Sequence, residues 1–183
     1  VWAEDVKVYR GGFGSIPIWT FLQIIPDGEG GVFIGWHDDR FFTNYESIHV
    51  SRILADGSYG FVSGEGGEQI SFSSDIGLRS GQPKMVLDKA NNALYVVWRE
   101  FDANYQTWSR IMTQKLDMQG QLLWGMEGKE VLPLENRSIS YHSAQLGEDG
   151  QFAVFYMIYF EYIDQRAYAI LLDGKNAAQL LVS

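Results

Sequence analysis

The feature that most constrains this chain is an internal repeat. The stretch Gly81–Val131 holds four apolar runs, each closed by a turn signal, and versions of the same layout lie before and after it. One such unit cannot bury its apolar surface alone, so copies must stack on one another, and every later inference follows from that stacking. The copies run approximately 19–72, 81–132 and 141–183, within a single repeat domain over 1–183. Residues 1–9 match the end of the middle copy (Trp124, Gly125, Glu127, Lys129, Val131) and read as the last strand of a copy whose beginning is missing.

Each copy has the same order. In the first, Phe21–Ile25 is a strand and Asp27-Gly28-Glu29-Gly30-Gly31 a turn that can supply positive φ. Val32–Trp36 is an apolar run of the kind expected for a strand covered on both faces. Ile48–Leu54 alternates, Asp56-Gly57 turns the chain, and the fourth strand falls at Tyr59–Val62 or Gln69–Phe72. The second copy gives Lys84–Leu87, Leu94–Trp98, Trp108–Leu116 and Leu122–Trp124 continuing to Leu132. The third gives Ser143–Leu146, Phe152–Phe160, Ala167–Leu172 and Gln179–Val182. Gly31, Ala93 and Gly150 take matching places, as do Trp36, Trp98 and Phe155, and Leu54, Leu116 and Leu172. No amphipathic helix pattern of useful length is present.

Composition narrows the partners. With 15% aromatic residues and 20 Gly but only 4 Pro, the chain suits an all-β protein with many tight turns. A net charge of −9 repels phosphate backbones and argues against nucleic acid and against docking on anionic membrane by charge. The absence of Cys removes disulfides, thiolate metal sites and thiol nucleophiles. The longest apolar run, Phe152–Phe160, is about half a membrane span, so no membrane insertion is expected. The opening residue is Val rather than Met, which fits removal of a leader or trimming.

Four short antiparallel strands bury both faces when successive sheets pack face to face around an axis, and the repeat favours such propeller blades over a β-sandwich. The layout combines a DGxGG-like turn, an apolar run ending in Trp, then Asp and Arg, a strand ending in Leu-Asp-Gly, and LLW-G-V. It resembles sialidase-like or BNR-type β-propeller repeats in secreted and surface proteins of Bacteroides-type bacteria. The middle copy carries Leu122-Leu123-Trp124-Gly125 and the first Trp36-His37-Asp38-Asp39-Arg40, while the third departs at both places. The resemblance implies an all-β, β-propeller-like fold, a secreted or cell-surface location and glycan-related work. Three copies and a spare strand are fewer than the roughly four to eight blades of closed rings. The chain then belongs to a longer protein, completes a ring with a second copy, or stacks openly.

The residues that follow the apolar strand are the ligand-binding candidates: Asp38, Asp39 and Arg40; Arg99, Glu100, Asp102 and Tyr105; Asp164 and Arg166. The resemblance implies that arginines of separate blades converge on a substrate carboxylate, as Arg40, Arg99 and Arg166 could, because a planar guanidinium pairs with a carboxylate through two parallel hydrogen bonds. The structural alternative is that each Arg pins a loop through an Asp of its own copy. Phe41, Phe42, Tyr45, Trp108, Tyr159, Tyr162 and Tyr168 lie in or beside the same loops, where rings stack on sugar C–H groups or pack between blades. Ser73–Gly77 matches half of the Asp-box of these propellers, and Leu78-Arg79 break it. Asp27/Glu29 and Asp38/Asp39 offer oxygens to calcium without forming a recognised loop, and His37, His49 and His142 lack metal-ligand spacing, so no metal or cofactor is expected. With no complete catalytic motif, the sequence points to a non-catalytic binding or scaffold module for a glycan or protein partner, the alternative being a fragment of a sialidase-like glycoside hydrolase.

Overall fold

The computed structural model describes residues 4–9, 22–39, 46–73, 77–102, 108–147, 150–160 and 164–177. Within them the chain forms eleven strands in three antiparallel sheets. The first sheet holds β1 (Gln23–Pro26), β2 (Val32–Asp38), β3 (Ser47–Ile53) and β4 (Glu68–Gln69). The second holds β5 (Leu78–Asp88), β6 (Ala93–Asp102), β7 (Trp108–Asp117) and β8 (Lys129–Asn136). The third holds β9 (Ser138–Leu146), β10 (Gln151–Phe160) and β11 (Asp164–Asp173). Strands in each sheet neighbour one another in chain order. The repeat of the sequence is therefore one meandering sheet per copy.

Stacking of the sheets follows from the two-residue period of a strand. On β2, Phe33 faces the second sheet, while Ile34 and Trp36 face away from it. On β6, Leu94, Val96 and Trp98 face back to the first sheet, and Tyr95 and Val97 face on to the third. One core layer thus joins Phe33, Ile48, Val50, Phe61 and Ile70 to Met85, Leu94, Val96, Trp98 and Met112. The next joins Tyr95, Val97, Ile111, Val131 and Leu132 to Phe152, Val154, Tyr156, Ile158 and Leu172. The near-continuous apolar runs of β2 and β6 are explained by burial on both faces. Each fully buried ring or branched side chain contributes roughly 2–3 kcal/mol by area.

The pairing register corrects the match between copies. Single bridges join Ile53 to Tyr59 and Leu116 to Leu122, which makes Ile53, not Leu54, the counterpart of Leu116. Counting along the ladders from Val32↔Ile53, Leu94↔Leu116 and Phe152↔Leu172 then aligns Trp36 and Trp98 with Tyr156. Tyr156 is 8% exposed and Phe155 47%, so Tyr156 holds the inward place expected for Phe155. Of the two places for the first copy's fourth strand, the ladder uses the later, near Gln69, and in the second copy it uses the far end of the Leu122–Leu132 stretch. Tyr59 and Leu122 make one bridge each, and the paired segments are β4 and β8. β5 is longer than expected and carries an irregularity between Gly81 and Lys84, with Gln82 at φ 59°. The expected strand Gln179–Val182 lies outside the described residues, and residues 4–9 form no strand.

Two devices recur between sheets. Gly67 and Gly128, each with positive φ, cross over a tryptophan of their own sheet. A Cβ on Gly128 would lie 2.5 Å from the Thr113 carbonyl and 3.4 Å from the Trp98 ring, and one on Gly67 2.5 Å from the Val50 carbonyl and 2.9 Å from the Trp36 ring. No side chain fits there, so the chain can drop onto the sheet only at glycine. The second device is a staple. Arg52 lies over the Phe33 ring (5.5 Å) and its Nη1 donates to the Met118 carbonyl of the second sheet's turn (3.2 Å). At the matching positions Lys115 lies over the Tyr95 ring (5.2 Å) and donates to the Gly174 carbonyl of the third sheet's turn (2.9 Å). The Tyr95 hydroxyl donates to the same oxygen (3.0 Å), and Trp124 Nε1 donates to the Lys175 carbonyl (2.9 Å). In the third sheet the counterparts of the cation and ring are Leu171 and Ala153, so the staple ends there.

Candidate functional site

The described candidate residues lie at or near the ends of the second strands and the starts of the third. A tryptophan and the acid two residues on share a strand face, so the indole N–H reaches the carboxylate. Trp36 Nε1 donates to Asp38 Oδ2 (2.7 Å), and Trp98 Nε1 donates to Glu100 Oε1 (3.1 Å). Both acids are buried, Asp38 at 0% and Glu100 at 1% exposure. A buried carboxylate needs charge or hydrogen bonds to offset its desolvation, and each sheet supplies them from its third strand. His49 Nε2 lies 3.6 Å from Asp38 Oδ1, with its ring stacked on Trp36 at 5.9 Å. Arg110 grips Glu100 Oε2 through Nε and Nη2, both at 2.7 Å, and Ser80 Oγ lies 3.4 Å from Oε1.

Ser47, His49 and Asp38 have the residue types of a nucleophile relay but not its geometry. Ser47 Oγ lies 2.9 Å from His49 Nε2, the same ring nitrogen that faces Asp38. A relay needs the base to use one nitrogen for the nucleophile and the other for the acid. These groups therefore act as a packed hydrogen-bond cluster.

Arg99 points the other way, into the seam with the third sheet. It is 7% exposed, its guanidinium stacks 4.2 Å above the Phe101 ring, and Nη1 donates to the Ile139 carbonyl. Burial pulls it down to about 10. His37, on the face toward the second sheet, is pushed down to about 4 by burial, with Asp38 opposing and Arg99 adding to the shift. His142, fully buried on β9, is pushed down to about 3 by burial and by the Lys84 and Arg99 charges, against the opposing pull of the nearby Val97 and Gln82 backbone. Both imidazoles are neutral at neutral pH.

The remaining candidates lie apart. Asp39 is half-buried at the end of β2. Asp102 accepts the Trp108 backbone N–H (3.0 Å). Arg166 is exposed and pairs with Asp164 of its own strand (Nε 3.0 Å, Nη2 2.7 Å). Arg99 and Arg166 are therefore not brought together: one is buried in a seam and the other is exposed on β11. Arg40, Phe41, Phe42, Tyr45, Tyr105 and Tyr162 lie outside the described residues, as does the middle of the Asp-box half-match, 74–76. Trp108 and Tyr159 are exposed, and Tyr168 stacks on Tyr156 at 5.2 Å. Asp27 and Glu29, the oxygen pair considered for calcium, both accept from Arg52 (2.8 and 2.6 Å). Desolvation alone would raise the Asp27 carboxyl, but N–H donors from Glu29 and Gly31 and the Arg52 guanidinium hold it below its usual value. Among the described residues no group of three or more His, Asp or Glu is placed to hold a metal ion. Sequence reasoning passed over Arg110 and weighed His49 only as a metal ligand, although the Trp-x-acid spacing in two copies signals a shared carboxylate position that calls for a partner.

No protein-family model matches the sequence, and no curated protein does. Among solved structures, the chain is similar to an endo-arabinase from Bacteroides thetaiotaomicron, at 9% identity and TM-score 0.52, over 88% of this chain and 61% of that one. It is also similar to a thermostable family-43 glycoside hydrolase, at 11% identity and TM-score 0.53, over 91% of this chain and 55% of that one. The chain thus spans little more than half the length of these structures. At such identities the likeness is one of fold, and with three face-packed antiparallel sheets it shows a β-propeller-like architecture, corresponding to part of a propeller.

Proposed function

We propose that this chain is a non-catalytic, propeller-like binding or scaffold module of a secreted or cell-surface protein, with a glycan as the favoured partner. The observation that carries the non-catalytic reading is the fate of the two buried acids at the strand ends. Asp38 and Glu100 are each taken up by an indole and a third-strand cation or imidazole of the same sheet, so neither is presented to a substrate. The glycan preference is supported by the nature of the similar structures, both carbohydrate-cleaving enzymes by name, and by exposed Trp108 beside the acidic loop end. The resemblance of the sequence to sialidase-like or BNR-type repeats supports the surface location. A second reading, a fragment of a glycoside hydrolase, is favoured by the same similar structures. Affinity electrophoresis in gels containing arabinan or sialylated glycan, run beside reducing-sugar assays on the same polymers, separates the two. Retarded migration without sugar release is expected. Sugar release that disappears in a folded Glu100→Gln variant would overturn the proposal in favour of the hydrolase fragment.

A further inference from the structure

The two seams hold the same cation in different company. In the first, Arg52 Nη2 meets two carboxylates of the turn between β1 and β2, Asp27 Oδ2 (2.8 Å) and Glu29 Oε2 (2.6 Å). The second seam keeps the cation and lacks the second acid. Asp88 takes the place of Asp27, since Pro26↔Val32 and Leu87↔Leu94 are matching pairs. Its carboxylate is buried and accepts from Asn91, at the backbone N–H (3.1 Å) and at Nδ2 (2.8 Å). The turn from Lys89 to Asn92 has no acid where Glu29 stands in the first copy. Lys115, in the place of Arg52, donates to the Gly174 carbonyl (2.9 Å) and forms no ion pair among the described residues.

A cleft of about 440 Å³ opens beside Lys115, between the turns of the second and third sheets, a volume in the range of small-molecule sites. Its polar lining is Asn91, Tyr95, Lys115, Gln151, Asp173 and Lys175. Gly174 also lines it. A Cβ there would lie 2.0 Å from the Gly150 carbonyl and 2.4 Å from the Tyr95 hydroxyl, so only glycine brings the chain this close. Asp173 Oδ1 accepts the Lys175 backbone N–H (2.6 Å). Burial, with the Asp88 and Asp173 charges adding, pushes the Tyr95 hydroxyl up to about 12, so it stays a donor. Two ammonium groups thus face acids that repel a second negative charge. These surroundings suit a ligand with one carboxylate and several hydroxyls better than a phosphate dianion.

We infer that this cleft binds an acidic sugar, a hexuronate, whose carboxylate takes the place beside the cation that Glu29 fills in the first seam. Lys115 and Lys175 hold the carboxylate through charge-assisted hydrogen bonds, and Asp173 and Gln151 meet the hydroxyls. The site lies at the turn end of the sheets, whereas Asp38 and Glu100 sit at the other end of β2 and β6. It goes beyond the glycan reading above and makes no use of Trp108.

Glucuronate titrated into isotope-labelled protein, followed by amide resonances, tests this, with glucose and acetate as controls. Shifts at Gly150, Gly174 and Lys175 are expected, with a Kd of about 1 mM and binding of either control weaker by about tenfold or more. Lys115→Met, folded by circular dichroism, should bind glucuronate about tenfold more weakly or not at all. Asn91→Glu supplies an internal carboxylate on the turn, as Glu29 does, and should block glucuronate. No shift at those amides, equal binding of glucose, or full binding by either variant would overturn the inference. Acetate binding as tightly as glucuronate would overturn its sugar part. A protein retarded by arabinan yet indifferent to glucuronate loses this site and keeps the glycan reading; the reverse result does the opposite.

Discussion

The second sheet is sealed on both faces and the third on one, although much the same apolar pattern builds both. Leu94, Val96 and Trp98 and their counterparts Phe152, Val154 and Tyr156 are all buried against the preceding sheet. Tyr95 and Val97 are buried against the following sheet, while Phe155 and Tyr159 stand exposed. Place in the array, rather than the strand's own pattern, decides how much of an apolar run is buried. The second sheet's contribution is consequently made in two seams, and the third sheet's in one.

The difference can be broken most directly by truncating an inward ring of the second sheet and an outward ring of the third. Trp98→Ala is expected to cost about 3–5 kcal/mol and Phe155→Ala less than about 1, read from urea midpoints. Equal costs would mean that the outer face is covered in solution, and the contrast between sheets would fail. The staples come next. Arg52→Met leaves the buried Asp27 without its cation, for an expected loss of about 3 kcal/mol. Lys115→Met gives up a carbonyl contact instead and should cost about 1 kcal/mol. Thermal melts of the two variants at equal ionic strength test that order.

Acidification probes the seam between the second and third sheets. His142 holds its proton in the fold only below about 3, against an ordinary 6.5. The unfolded chain binds that proton as pH drops through 6.5, so stability is whole above this value and declines toward pH 3. The slope is about 1.4 kcal/mol per pH unit, or about 2 kcal/mol by pH 5. Comparing urea midpoints at pH 7.5 and 5, His142→Phe should lose that share of the dependence, with His37 supplying a similar remaining part. A variant whose midpoint still falls as steeply as wild type would remove His142 from the account. The smallest effect is expected at β11: Arg166→Ala, which breaks an exposed pair with Asp164, should leave the midpoint where it was.

The repeat made the stacked sheets legible because four runs and their turns recur in order. The one-residue error in the third copy had a physical cause. Phe152–Phe160 is apolar at nearly every position, so nothing in it tells which residue turns inward, and only the ladder to β11 places Tyr156 there. The fourth strand of the first copy stayed open between Tyr59–Val62 and Gln69–Phe72 because Tyr59, like Leu122, does approach its neighbour, for a single bridge, before the chain crosses over the tryptophan at Gly67 or Gly128. At the loop end, Asp38 and Arg99 were legible as strand-terminal charges, but their surroundings were not. The Ile139 carbonyl lies forty residues from Arg99 and belongs to another sheet. A partner at that separation is set by stacking, which local spacing does not encode.

The staples couple the sheets in one direction. Arg52 and Lys115 each reach forward to a turn carbonyl of the following sheet, so each of these turns is also latched from behind. Cutting the chain in the turn after β11 would release Tyr95, Lys115 and Trp124 together, yet leave Arg52 fastened to Met118. Damage at the C-terminal end would loosen its immediate predecessor and stop there. An array wired in this way confines a break to the sheets on either side of it.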